Sequence, residues 1–184
     1  GKKGVEGISS DSLLTEGAEY PLDDLVLATG FDAMTGALNR MDIQGRDNVS
    51  LKKAWEAGPK NYLGLMTHGF PNFFMVTGPG SPSVLSNMLP TIEHHVEWIS
   101  DCIDYLRTQN IGKIEADLKA QDEWVAHGNE IASKTLRYTC SSWYLGTNVP
   151  GKPRIFMPYI GGMPAYREKC AAVVTADYEG FELT

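Results

Sequence analysis

The run Gly78-Pro79-Gly80-Ser81-Pro82-Ser83, followed at once by a long helical pattern, is the stretch of this sequence best suited to holding a ligand. Glycines let a backbone approach a ligand closely, and the helix that follows presents unpaired N–H groups with partial positive charge. Such an end favours a phosphate, or the negative charge that builds along the N1–O2 edge of a reduced flavin. The spelling is GxGxxS rather than GxGxxG, so a dinucleotide fingerprint is absent, and a plain tight turn before a helix is the alternative.

Other candidate groups are weaker. Trp143-Tyr144 followed by Gly151-Lys152-Pro153-Arg154 joins a flat ring to two cations, suited to a phosphorylated cofactor or to a surface loop anchored by its aromatics. His68, His94, His95 and His127 include no HExxH, and the adjacent pair His94-His95 points to different helix faces, so packed or solvated histidines are expected and no metal ligands. Glu123 and His127, four apart, read as a helix-surface pair. No serine sits in GxSxG, and Cys102, Cys140 and Cys170 form no CxxC, which predicts reduced thiols.

The elements that must position these groups are short apolar runs and amphipathic helices. Leu25 to Gly30 and Phe73 to Gly78 both end in Thr-Gly and read as strands buried on both faces. As parallel neighbours they would bring their carboxyl ends together, where open α/β sheets bind ligands. Residues 1–19 are polar and turn-rich, with a weak strand at Val5–Ile8. Leu51–Ala57 is a short helix candidate. Leu89, Ile92, Val96, Ile99, Ile103 and Leu106 predict one inward helix face, and a second helix is expected from Ile114 to about Leu136 with Leu118, Val125 and Ile131 inward. Cys140 to Gly162 reads as loop, and a last helix covers Pro164 to Ala176.

The 184 residues suit one ordinary domain, and 16 Lys+Arg against 23 Asp+Glu give a charge of −7. That balance argues against nucleic acid, which needs clustered basic charge. No run approaches the ~20 apolar residues of a membrane span. Gly1-Lys2-Lys3-Gly4 has no apolar stretch behind it and does not read as a signal peptide, so a cytoplasmic protein is expected.

Three groups of residues carry a resemblance. The first is Asp24-Leu25-Val26-Leu27-Ala28-Thr29-Gly30-Phe31-Asp32-Ala33 with Met34-Thr35-Gly36-Ala37-Leu38; the second runs from Gly78 through Ser86-Asn87-Met88-Leu89. The third comprises Asp122-Glu123-Trp124-Val125, Ser142-Trp143-Tyr144 and Asn148-Val149-Pro150-Gly151-Lys152-Pro153-Arg154. In this order they resemble the C-terminal third of the Baeyer–Villiger (class B flavin) monooxygenases, over residues 20–184.

The resemblance implies an α/β fold that is the closing part of a dinucleotide-binding (FAD) domain with a helical, loop-rich C-terminal extension. Residues 1–19 would be the tail of an NADP domain or a linker, 20–110 the C-terminal part of the FAD domain, and 111–184 its extension with the NADP-covering loop. The implied cofactors are FAD and NADP, and the implied reaction inserts one oxygen from O2 into a ketone to give an ester or lactone. Asn87 and Met88 would lie against the flavin, Trp143 over NADP, and Ser83, Val84 and Leu85 along the substrate pocket. Both GxGxxG fingerprints and the family's catalytic arginine match nothing here. No catalytic residue is therefore assigned, and the chain alone is expected to be inactive without the N-terminal remainder of such an enzyme. A non-catalytic binding module, and a related flavin enzyme oxidising nitrogen or sulfur, stand as alternatives.

Overall fold

The computed structural model describes residues 4–28, 30–82, 86–139 and 141–184, which divide into two compact units, Gly1–Gly30 and Phe31–Thr184. The first unit is an antiparallel meander of β1 (Val5–Ile8), β2 (Ser12–Thr15) and β3 (Ala18–Pro21). Thr15 pairs with Ala18 across the two-residue turn Glu16-Gly17, where Gly17 takes φ +81°. Two of these strands were not anticipated, because four-residue strands with little apolar alternation leave only the turn glycine as a signal.

The expected strand at Leu25 to Gly30 is not formed. Residues 24–28 are irregular, and Val26 and Leu27 are exposed by 85% and 71%. A strand buried on both faces exists only between neighbours, and both sheets among the described residues are built from other segments and are antiparallel. Phe73 to Gly78 is likewise not a strand. Met75 N–H donates to the Leu65 carbonyl and Gly78 N–H to that of Gly64, but Thr77 turns to φ +55° and breaks any regular ladder.

The second unit is mixed α/β. Two short helices, α1 (Gly36–Arg40) and α2 (Leu51–Ala54), lead into it; Ser50 caps α2 by accepting the Lys53 N–H at 3.3 Å. The long helix α3 (Met88–Thr108) forms where periodicity predicts it, but its buried face is Thr91, His95, Trp98, Cys102 and Leu106. Leu89 and Val96 of the expected stripe are largely exposed, and Ile92, Ile99 and Ile103 are half-buried. The reason is ring packing. Trp98 lies 5.3 Å from Tyr178 and 5.6 Å from Phe181, and large aromatic surfaces dominate burial.

The next expected helix begins later than predicted. Ile114–Ala116 form β4, paired antiparallel with β5 (Phe181–Leu183), so that Ile114 faces Leu183 and Ala116 faces Phe181. A partner this distant in sequence leaves no local signal. Then α4 (Leu118–Ser133) starts on Asp117, whose carboxylate accepts the Ala120 N–H at 2.9 Å. It buries Gln121, Trp124 and Ala132, while Leu118 is exposed and Val125 and Ile131 are half-buried. The last helix, α5 (Met163–Thr175), carries Pro164 in its first turn as expected and buries Tyr166, Cys170 and Val173.

One continuous core joins α3, β4, α4, α5 and β5 to the loop residues Tyr62, Leu63, Leu65 and Met66. Full burial of side chains of this size contributes roughly 1.5–3 kcal/mol each. Among the described residues no helix is long and apolar enough to cross a membrane.

Candidate functional site

The chain from Asn61 to Pro82 doubles back on itself to present the Gly78–Pro82 loop at the start of α3. Asn61 Oδ1 accepts the Gly64 N–H at 3.0 Å, and Gly64, at φ +71°, lies against Ser81. A Cβ at Gly64 would come within 2.6 Å of the Ser81 nitrogen, so only glycine fits. Ser81 Oγ and its N–H both donate to the Gly78 carbonyl.

Two further segments clamp the loop. Trp124 of α4 donates its indole N–H to the Gly80 carbonyl at 3.0 Å, and Gly80 N–H donates to the Met157 carbonyl at 2.7 Å. Tyr159 N–H donates to the Ser81 carbonyl at 2.9 Å, and Pro82 and Tyr159 form a parallel bridge. Buried backbone groups satisfied this completely give a rigid mount.

His95, fully buried on α3, fixes the approach to this loop. Its Nδ1 accepts the Thr77 N–H at 2.9 Å, and its Nε2 meets the Tyr166 hydroxyl at 2.8 Å. That hydroxyl donates to the Leu63 carbonyl at 2.6 Å, so its oxygen must accept from His95. The ring is therefore neutral, with its proton on Nε2. Burial, reinforced by His94, pushes its pKa down to about 4. His94 is also pushed down, by burial and then by the Arg167 charge.

Of the residues expected at a cofactor, Asn87 caps α3, with its Oδ1 accepting the Leu89 N–H at 3.0 Å. Met88 is the first helical residue and half-buried. The first turn of this 21-residue helix carries no acidic residue, so no carboxylate within that turn offsets the positive end of the helix. Those features fit an electron-rich ligand edge such as that of a flavin. The expected pocket residues Ser83, Val84 and Leu85 lie outside the described residues.

Trp143 opens a 3-10 turn, Trp143–Leu145, inside the region expected to be loop. Ser142 Oγ accepts the Tyr144 N–H, Gly146 closes the turn at φ +70°, and the Trp143 and Tyr144 rings lie 4.2 Å apart. Met157 N–H donates to the Tyr144 carbonyl at 2.9 Å. Met157 thus bonds the Trp143 turn on one side and Gly80 on the other, linking two expected cofactor segments through a residue that sequence reasoning passed over.

The sequence offers Lys152, with Arg154, as a cation for a phosphorylated cofactor or as part of a surface loop anchored by its aromatics. The Lys152 ammonium instead contacts the Asp32 carboxylate and, at 2.7 Å, the Thr35 hydroxyl, with side chains only 12% and 22% exposed for Lys152 and Asp32. The contact forms one wall of a cavity of about 430 Å3 that Asn39, Trp55, Pro59 and Val149 also line.

A second buried charge was also missed. Glu115 of β4, fully buried, pairs with Arg46 at 2.6 Å, and Arg46 also reaches His68 Nε2 at 3.3 Å. His68 Nδ1 bonds the Ala116 carbonyl at 2.9 Å, and its backbone N–H bonds Gln121. Glu123 pairs with Lys119 at 3.8 Å rather than with His127. Among the described residues no three His, Cys, Asp or Glu side chains are grouped to hold a metal ion.

No protein-family model matches the chain. It is 42% identical over 172 residues to an acetone monooxygenase (methyl acetate-forming) from Gordonia sp., covering 93% of this chain and 32% of that protein. It is also 42% identical over 180 residues to the phenazine N-monooxygenase PhzNO1 of Lysobacter antibioticus, covering 97% and 33%. A Baeyer–Villiger monooxygenase of Pseudooceanicola batsensis is 41% identical over 165 residues, covering 90% and 30%. The closed crystal structure of cyclohexanone monooxygenase superimposes with a TM-score of 0.91 at 40% identity, over 100% of this chain and 34% of that one. A complex of OTEMO with FAD and NADP gives 0.89 at 35% identity, covering 100% and 34%. The chain is a homologue of the Baeyer–Villiger monooxygenases and spans about a third of their length.

Proposed function

We propose that this chain is the C-terminal third of an FAD- and NADPH-dependent Baeyer–Villiger monooxygenase. In this reading residues 1–19 are the tail of the NADP domain or a linker, residues 20–110 close the FAD domain, and residues 111–184 form its helical extension with the NADP-covering loop. The observation that carries it is the clamped loop at Gly78–Pro82 leading into an acid-free helix end, in a chain whose relatives are three times as long. Bound FAD, reduced by NADPH, supplies the activation of O2 from which one oxygen enters a ketone to give an ester or lactone.

The chain's own residues bind and orient. Asn87 shapes the first turn of α3, and the Met88 N–H would serve the electron-rich edge of a bound flavin, favouring the negative charge of its reduced form. Ser83, Val84 and Leu85 form substrate wall and select ketones by volume, at ~1–3 kcal/mol per methylene. Trp143 would lie over the nicotinamide cofactor. The residue that acts on the reacting oxygen comes from the N-terminal remainder, so the isolated chain is inactive. The localisation is cytoplasmic.

The test is the natural polypeptide: its intact mass, its bound FAD and its ketone-dependent oxidation of NADPH. A mass near three times 20.2 kDa together with bound FAD and ketone-dependent NADPH oxidation supports the reading. A natural chain of 20.2 kDa without flavin would leave a non-catalytic binding module instead. Kinship to a phenazine N-monooxygenase favours nitrogen oxidation as a second reading. Product analysis with a heteroaromatic amine beside a ketone separates the two.

A further inference from the structure

The ion pair between Lys152 and Asp32 joins positions 120 residues apart and does so beside the Trp143 turn. On the anchoring side Asp32 is held in place, since Thr35 Oγ1 donates to its carboxylate at 3.3 Å and Thr35 itself is buried at the start of α1. On the turn side, the stem of Lys152 lies against Gly146, where a Cβ would approach its Cδ to 2.9 Å. Gly146 closes the turn by donating its N–H to the Trp143 carbonyl at 3.0 Å. A second tether runs the same way, from Asn148 Nδ2 to the Phe31 carbonyl at 3.0 Å.

We propose that Asp32, Thr35 and Lys152 are positioning residues, a charged latch that sets where the Trp143 turn rests and so how firmly the nicotinamide cofactor is retained. This inference rests on the assignment of Trp143 to that cofactor. A partly buried ion pair suits the task, because its charges are little screened by solvent and an unpaired partner is costly to leave behind. The latch also gives Lys152 a role different from direct contact with a cofactor phosphate. If Lys152 touched the phosphate, neutralising Asp32 would leave cofactor binding intact or improve it. If Lys152 is a latch, neutralising Asp32 does the same damage as removing Lys152.

The experiment uses the full-length enzyme that carries this chain. Asp32→Asn and Lys152→Met are each expected to raise KM for NADPH about tenfold, the loss falling mainly on KM rather than kcat. The double variant is no worse than either single one, because both remove the same contact. Lys152→Arg restores most of the loss. Asn148→Ala, an exposed change that spares the fold, raises KM by a smaller factor of about three. Amide exchange over residues 143–149, measured without cofactor, is faster in every latch variant that raises KM. An Asp32→Asn enzyme with wild-type KM and exchange, or fully additive effects in the double variant, overturns the latch. Trp143→Ala with unchanged NADPH kinetics overturns the assignment of Trp143, while the exchange measurement still decides whether the latch holds the turn.

Discussion

His95 and Tyr166 share a hydrogen bond of 2.8 Å in which the imidazole donates and the phenol oxygen accepts. The direction is forced, because the phenol proton is committed to the Leu63 carbonyl and the other ring nitrogen to the Thr77 N–H. One neutral tautomer therefore ties α3, α5, the Leu63 turn and the segment entering the Gly78 loop together. A proton added at Nδ1 would deprive the Thr77 N–H of its acceptor, a loss that the Met75 backbone offsets only in part.

Acid should loosen this knot over a definite range. The folded pKa of His95 is about 4, below the ~6.5 of a free histidine, so folding favours the neutral ring. Above about pH 6.5 the ring is neutral in both states and contributes no pH dependence. Between about 6.5 and 4 the unfolded chain binds a proton that the folded chain refuses, so stability falls as pH falls, by roughly 3 kcal/mol in all. Urea unfolding across this range measures it, and His95→Gln should flatten the slope. Equal slopes in the two proteins would remove His95 from the account.

Arg46→Met should be among the more damaging single changes. It leaves Glu115, fully buried in β4, without its cation, at a cost of about 3–5 kcal/mol. Adding Glu115→Gln should recover a large part of that, since a neutral amide is far cheaper to bury. Thermal melts of the wild type, both single variants and the double variant test this. A double variant no better than Arg46→Met would show that Arg46 acts mainly by packing.

Gly64→Ala should dislocate the Gly78–Pro82 loop. The added Cβ meets the Ser81 backbone, and φ +71° is itself unfavourable for alanine, so the combined cost is roughly 1–3 kcal/mol. Flavin content of the full-length enzyme should drop together with stability. Retained flavin with full stability would mean that the loop is less rigidly mounted than its hydrogen bonds imply.

The isolated chain should self-associate. Leu89 and Val96 are exposed at 66% and 49%, on the stripe of α3 that periodicity predicts to be buried, with Ile92, Ile99 and Ile103 half-covered beside them. Apolar surface of this kind is a liability in water. Sedimentation velocity with Leu89→Lys and Val96→Lys tests the point. A wild-type chain that stays monodisperse at 20.2 kDa would count against both this prediction and the view that another part of an enzyme covers that stripe.

What could be read from the sequence was local. The 3.6-residue period located α3 and, with a later start than expected, α4; Pro164 marked the start of α5, while Asn87 at the head of α3 came from the family resemblance alone. The inward face of α3 was not legible, because aliphatic and aromatic stripes lie side by side and only the partners Tyr178 and Phe181 decide between them. The pairing of β4 with β5 and the contact of Lys152 with Asp32 were equally hidden, each depending on a residue more than 60 positions away. Leu25 to Gly30 misled for the opposite reason. Its composition is that of a buried strand, and the neighbours that would bury it are not among the described residues.

The two buried thiols on α3 and α5 have a bearing on durability. Burial pushes both Cys102 and Cys170 up to about 12, so at neutral pH only a minute fraction of either is thiolate. Peroxides react with thiolate rather than thiol. If the whole protein activates oxygen as proposed, uncoupled turnover would release hydrogen peroxide close to its own sulfur atoms. By keeping these two sulfurs protonated and out of reach, the fold removes them from that hazard, so peroxide should oxidise the exposed Met41 before Cys102 or Cys170.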